Sequence, residues 1–335
     1  MSKVEYYLKD TNVKVQDLGL LFKEKGVIVM LTFRGGQRTY TISPKAFGVK
    51  RERLSEESKE FLDKHVKNGS VTFIGKDDWK KIQSIKTKTW KQINKLAAGE
   101  ILGNYYLTIE SFLAFEKYFN KVKKEYMELR DSLVERYDEM LVRFKEIVQC
   151  SIADMEAHAA KAEYERIMNK LPSKKEFEES FSVEMHCFGM PTLEDLDKVD
   201  ERIRGKLSEQ YRKIGESLVA DTTVSIINEA IAAFSSVIRS GENNGRFHPK
   251  VIDKINNSVK RMTENNIFGN PKLDSLKSRM QNLLNLDSDS AVELSERLLV
   301  EAYNYSIELG LEEKVALEDC PFTREELVSM HQMYN

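Results

Sequence analysis

The residue pattern predicts a mostly α-helical protein. It reads as a long antiparallel helical hairpin or coiled-coil bundle, with a small N-terminal α/β piece carrying a β-hairpin and a C-terminal helical module. Three observations predict it. Helix breakers are scarce, with 6 prolines and 16 glycines in 335 residues, which argues against a turn-rich all-β fold. Apolar side chains recur at steps of three and four from Phe112 to Ile147 and again from Leu193 to Ile238, the spacing that lines one side of a helix. Alternating β-type sequence is confined to Val27–Arg34, Gln37–Ile42 and the stretch near 181–188. The divisions that follow are 1–106 for the N-terminal piece, 107–240 for the helical hairpin and 246–335 for the last module.

Each element has its own signal. Val15, Leu18, Leu21 and Phe22 share one side of a short helix over 13–25, which Gly26 ends. Val27–Arg34 reads as a strand, Gly35-Gly36 as a two-residue turn accepting positive φ, and Gln37–Ile42 as the returning partner. Ser43-Pro44 opens a helical turn through Phe47. Helices are predicted over 54–67 and 77–97, the second turning Trp79, Ile82, Ile85, Ile93 and Leu96 inward. Gly103-Asn104-Tyr105-Tyr106-Leu107 is a tight turn running into a short extended segment.

Thr108 then caps a helix whose stripe passes through Phe112, Phe115, Phe119, Val122, Tyr126, Leu129, Leu133, Tyr137, Met140, Phe144 and Ile147. An extra step of four between Leu133 and Tyr137 is a stutter in the heptad. Met127, Val134, Leu141 and Val148 widen the apolar face beyond a two-stranded seam, towards a bundle. The helix continues, with a break near Ser151, towards Leu171-Pro172. After a short strand from Phe181 to Phe188, a second long amphipathic helix runs from Pro191 to Ile238, comparable in length to the first and its natural hairpin partner. Gly241-Glu242-Asn243-Asn244-Gly245 is a linker, followed by helices near 249–264, 272–286, 288–309 and 323–333.

Charge and cysteine usage narrow the function classes. With 52 basic against 54 acidic residues, attraction to nucleic acid or to a membrane surface would need a local basic patch. Cys150, Cys187 and Cys320 are odd in number and far apart, which reads as reduced thiols in a cytoplasmic protein rather than a disulfide framework. The N-terminus has no apolar signal core, and no run of about 18 uncharged apolar residues occurs, so a bilayer span is not expected.

The search for chemistry assigns no catalytic, cofactor-binding or metal residue, and no cofactor. Neither a GxxxxGK[ST] loop nor a GxGxxG turn is present, and Gly75-Lys76 is read as a turn before a helix. The five histidines are scattered. His186 and Cys187 are neighbours on a strand and so point to opposite faces, while Asp154 and His158 form an i, i+4 pair without a third ligand. Cys187 is read as a small buried hydrophobe rather than a nucleophile. Glu125, Glu128, Asp131 and Glu135 alternate with basic residues as a solvated face. The most basic stretch is Lys76–Lys95, interleaved with Trp79 and Trp90. Lys80, Lys81, Lys88 and Lys91 are its candidate phosphate contacts. An ordinary exposed lysine face behind two core tryptophans accounts for the same residues.

Residues 69–144 carry a further order: Gly69-Ser70-Val71, Asp77-Asp78-Trp79, a lysine-rich helix to Leu96, Gly103-Asn104-Tyr105-Tyr106-Leu107, then Leu129-Arg130 and Tyr137-Asp138-Glu139 on the long helix. With the Phe181–Met185 strand, this resembles an uncharacterised bacterial and phage domain-of-unknown-function family, over about 27–240. The resemblance implies a genomic setting beside a MoxR-type AAA+ ATPase and a von Willebrand A-domain protein, and it carries no catalytic residue. The leading expectation is therefore a non-enzymatic scaffold or adaptor, self-associating or docking to such partners through Phe119, Tyr126, Leu133 and Tyr137. Burial of that stripe within the chain is the competing reading. Nucleic-acid contact through Lys76–Lys95 is the alternative function.

Overall fold

The computed structural model describes residues 3–9, 11–36, 39–41, 56–57, 66–67, 70–153, 155–192, 195–196, 199–241 and 248–334. Among these the chain is mostly helical with a small antiparallel sheet. Its first third holds α1 (Lys3–Tyr7), α2 (Leu18–Lys25), β1 (Gly26–Arg34), β2 (Thr39–Thr41), β3 (Val66–Lys67), β4 (Ser70–Thr72), α3 (Lys76–Leu96), β5 (Gly99–Ile101) and β6 (Asn104–Thr108). Then come α4 (Ile109–Glu135), α5 (Tyr137–Ile152), α6 (Ala157–Met168), α7 (Lys174–Glu179) and β7 (Ser182–Phe188). The rest is α8 (Glu201–Gly241), α9 (Pro249–Asn265), α10 (Pro271–Asn282), α11 (Ser288–Glu308) and α12 (Arg324–Tyr334).

The chain divides into two units, neither of them contiguous in sequence: 1–30, 96–114 and 187–335 form one, 31–95 and 115–186 the other. The expected boundaries near 106 and 240 thus fall inside the first unit rather than between units. The helical turn at 43–47, most of the helix over 54–67, the linker at 242–245, Leu193 and Asp154 lie outside the described residues.

In the first unit, α8 is the central element. From Leu218 to Val224 nearly every successive residue is buried, so its middle is covered all round rather than along one stripe. This corrects the amphipathic reading, and Ile203, assigned to the stripe, is 49% exposed. The partners of α8 are α9 and α11, the helices that the sequence sets apart as a separate module. By length and composition α8 could cross a membrane, yet 67% of its most apolar window is buried inside the protein. Short-range rules start the flanking helices: Asn270 accepts from the backbone N–H of Lys272 and Leu273 ahead of Pro271, and Asp287 accepts from that of Ser290. The N-terminal elements close onto the same core. Tyr7 donates to the Leu309 carbonyl at 3.0 Å, and Tyr106 to that of Phe22 at 2.9 Å.

Strand β6 pairs antiparallel with β1, from Gly26 opposite Thr108 to Val29 opposite Tyr105, in a sheet of order β5-β6-β1-β7. The predicted pairing of Val27–Arg34 with 37–42 is therefore overturned. Thr39–Thr41 instead joins β4, Tyr40 opposite Val71, in a three-stranded sheet of order β2-β4-β3. Val66–Lys67 is a strand of that sheet, where a helix was expected. Gly35 and Gly36 are not a hairpin turn, and neither has a positive φ. They are small because aromatic side chains come close: a Cβ at Gly35 would lie 2.9 Å from the Tyr126 hydroxyl, and one at Gly36 would lie 3.1 Å from the Phe181 ring.

The tight turn falls one hairpin later. Leu102 (φ 51°) and Gly103 (φ 78°) join β5 to β6 with two consecutive left-handed residues, the geometry a two-residue loop requires. A leucine there is strained, and its side chain is 85% exposed. Leu102→Asn is expected to stabilise the protein by about 1 kcal/mol in urea unfolding. A loss of stability on this change would contradict the turn geometry.

In the second unit the long stripe is confirmed as a helix and corrected in its continuity. Thr108 accepts from the Ser111 N–H at 3.4 Å at its start. The helix is interrupted at Arg136 (φ −87°, ψ 3°), inside the Leu133–Tyr137 stutter, before α5 resumes. The extra residue step moves the apolar face round, and the backbone gives way where the phase changes. The core is aromatic. Phe73 meets Tyr137, Phe144 and Phe177 at ring-centroid distances of 5.3, 5.7 and 5.5 Å, and Phe177 meets Phe181 edge-on at 5.1 Å. The Tyr126 and Tyr137 hydroxyls are spent on the Arg34 and Pro172 carbonyls. Burial pushes the Tyr126 hydroxyl pKa up to about 12.

Candidate functional site

The four residues expected to form an interface do not reach the surface. Phe119, Tyr126, Leu133 and Tyr137 are 4%, 2%, 0% and 5% exposed, because their side of α4 and α5 carries the core of the second unit. They present nothing to a partner in this structure. Glu125, Glu128, Asp131 and Glu135 are exposed on the same helix, as its polar side.

The lysine-rich helix is arranged as its sequence suggests. Ile82, Ile85, Thr89 and Ile93 of α3 are buried, and Phe33 and Trp90 stack obliquely at 6.4 Å. The other side is basic: Lys80, Lys81, Lys88, Lys91 and Lys95 are all exposed. At 100° per residue Lys80, Lys88, Lys91 and Lys95 share one face, extending roughly 22 Å along the axis. Asp77 and Asp78 sit at the N-terminal end, where carboxylates suit the helix dipole. They pair with Lys80 at 4.0 Å and Lys81 at 3.5 Å, and Asp78 also holds Arg136 at 3.2 Å. Among the described residues, Lys88, Lys91 and Lys95 have no carboxylate partner. The face is thus neutralised at one end and uncompensated along the rest, a row of point charges that can hold successive anionic groups.

The remaining candidates separate. His186 lies 3.1 Å from Glu184 on the exposed side of β7. Cys187 is exposed, which corrects the buried reading, since the strand leaves cover after Val183. Among the described residues, no three His, Cys, Asp or Glu side chains gather as metal ligands. An opening beside α9 brings Glu264 near Glu110 and Lys260. Burial, with some repulsion from Glu110, raises the Glu264 pKa against the pull of Lys260. A second opening, between α10, α11 and α12, had no signal in the sequence because its residues come from three helices.

Comparisons with family models, with curated proteins and with solved structures find no match.

Proposed function

We propose that this chain is a non-enzymatic binding protein, of scaffold or adaptor type, whose contact surface is the lysine face of α3 and whose partner is a nucleic-acid backbone. The observation that carries this reading is the one-sided exposure of Lys80, Lys88, Lys91 and Lys95, three of them uncompensated, on a helix whose other side is core. Lysines on a rigid helix bind phosphates without reading bases, so affinity should depend steeply on salt and little on sequence.

The test is fluorescence anisotropy of a labelled duplex across a salt series. The logarithm of the binding constant should fall linearly with that of salt. Lys88→Ala with Lys91→Ala should reduce the slope by about two, roughly one per phosphate contact. No binding at low salt, or an unchanged slope in the double variant, would remove the reading.

The adaptor role beside a MoxR-type AAA+ ATPase and a von Willebrand A-domain protein is supported by the sequence resemblance alone, and its expected docking stripe is buried. Affinity purification of the tagged chain from its native cells decides between the two. Recovery of those two proteins, undiminished in the lysine variant, would transfer the function to the adaptor reading.

A further inference from the structure

We propose a small-ligand site between α10, α11 and α12 that takes a free α-amino acid with an apolar side chain. The cavity has a volume of about 490 Å³, within the range of small-molecule sites. Its wall combines Leu276 and Val300, each 2% exposed, with the ring of Tyr305, whose hydroxyl accepts from Asn270 at 2.9 Å. Asn304 lines the same cavity at 7% exposure, and its side-chain Nδ2 has no hydrogen-bond acceptor. A buried N–H is rarely left unmatched. Nδ2 itself is buried, and the terminal torsion of asparagine is broad, so a rotation about it would carry Nδ2 to the cavity, where a ligand oxygen would complete it.

The charges at the mouth select the ligand class. Lys272 and Arg297 supply positive charge, Glu301 and Glu308 negative charge. The Lys272–Glu308 pair at 2.9 Å and the Arg279–Glu301 pair at 2.5 Å join α10 to α11 and hold both signs at the opening. A simple anion would meet two carboxylates there, and a simple cation two basic groups. A zwitterion meets neither objection. Its carboxylate lies towards Asn304 and the basic groups, its ammonium towards the glutamates, and its side chain against Leu276 and Val300.

The test is thermal unfolding of the full chain with each of the twenty standard amino acids and, separately, with inorganic phosphate. At about ten times its dissociation constant, an apolar amino acid should raise the folding equilibrium about tenfold and saturate. Asn304→Leu should abolish that shift while being no less stable than the parent by itself, because it replaces an unmatched polar group with an apolar one of similar size. Three results would each overturn the proposal: no shift with any amino acid, a shift with phosphate alone, or a shift that survives in Asn304→Leu. A variant markedly less stable than the parent would do so too, since Asn304 would then be a structural residue.

Discussion

Phe73→Ala should destabilise the second unit by about 3–5 kcal/mol, the usual cost of truncating a fully buried aromatic side chain. Phe73 is 0% exposed and packs obliquely on Tyr137 and edge-on against Phe144 and Phe177, so the alanine would leave a cavity walled by rings that cannot all close upon it. Urea unfolding followed by circular dichroism reads the loss directly. A cost below about 1 kcal/mol would mean the aromatic cluster is looser than its distances imply. The same experiment on Tyr126→Ala separates core from interface: buried at 2%, Tyr126 should report through stability and not through association.

Glu229→Ala should cost roughly 3 kcal/mol for a different reason. Glu229 of α8 pairs with Arg261 of α9, with side-chain exposures of 16% and 14%, and accepts from Ser258 at 3.0 Å. Removing the carboxylate strands a guanidinium that has little water to turn to, and this penalty exceeds what the pair contributes net. Replacing both, Glu229→Leu with Arg261→Met, should therefore recover most of the loss. Equal destabilisation in the single and double variants would show that the two charges are not each other's main partners.

Much of the helical architecture is legible because helix signals are local. The stripe from Phe112 to Ile147 is helical as its spacing predicts, although the backbone breaks at Arg136, inside the Leu133–Tyr137 stutter, where continuous helix is expected. Pro271 after Asn270 marks the start of α10. Strand pairing is less legible, since a strand's partner is set by chain that can lie far away. Gly35-Gly36 has the composition of a hairpin turn, yet those glycines answer to the Tyr126 and Phe181 side chains, about ninety and one hundred and forty-five residues further on. A leucine at the true turn, Leu102, hides it from any rule about turn residues. The lysine face can be read directly, because α3 alone defines it. The cavity around Asn304 cannot: an asparagine between Tyr303 and Tyr305 gives no sign of lining an opening until α10 and α12 are laid beside it.

The interleaving of the two units bears on the order in which the protein can be made. All of the second unit lies between residues 31 and 186, so its aromatic core can close while everything beyond is still being synthesised. The first unit has to wait: Tyr7 bonds a carbonyl 302 residues later, and α8 is covered by helices that follow it. During translation α2 and β1 can pair with β6 early, but Tyr7 must wait for the end of the chain, and the apolar middle of α8 stays only partly covered until α9 and α11 emerge. Vectorial synthesis therefore puts the period of greatest aggregation risk late, between the appearance of α8 and that of α11, and that interval is when a chaperone would have most to shield.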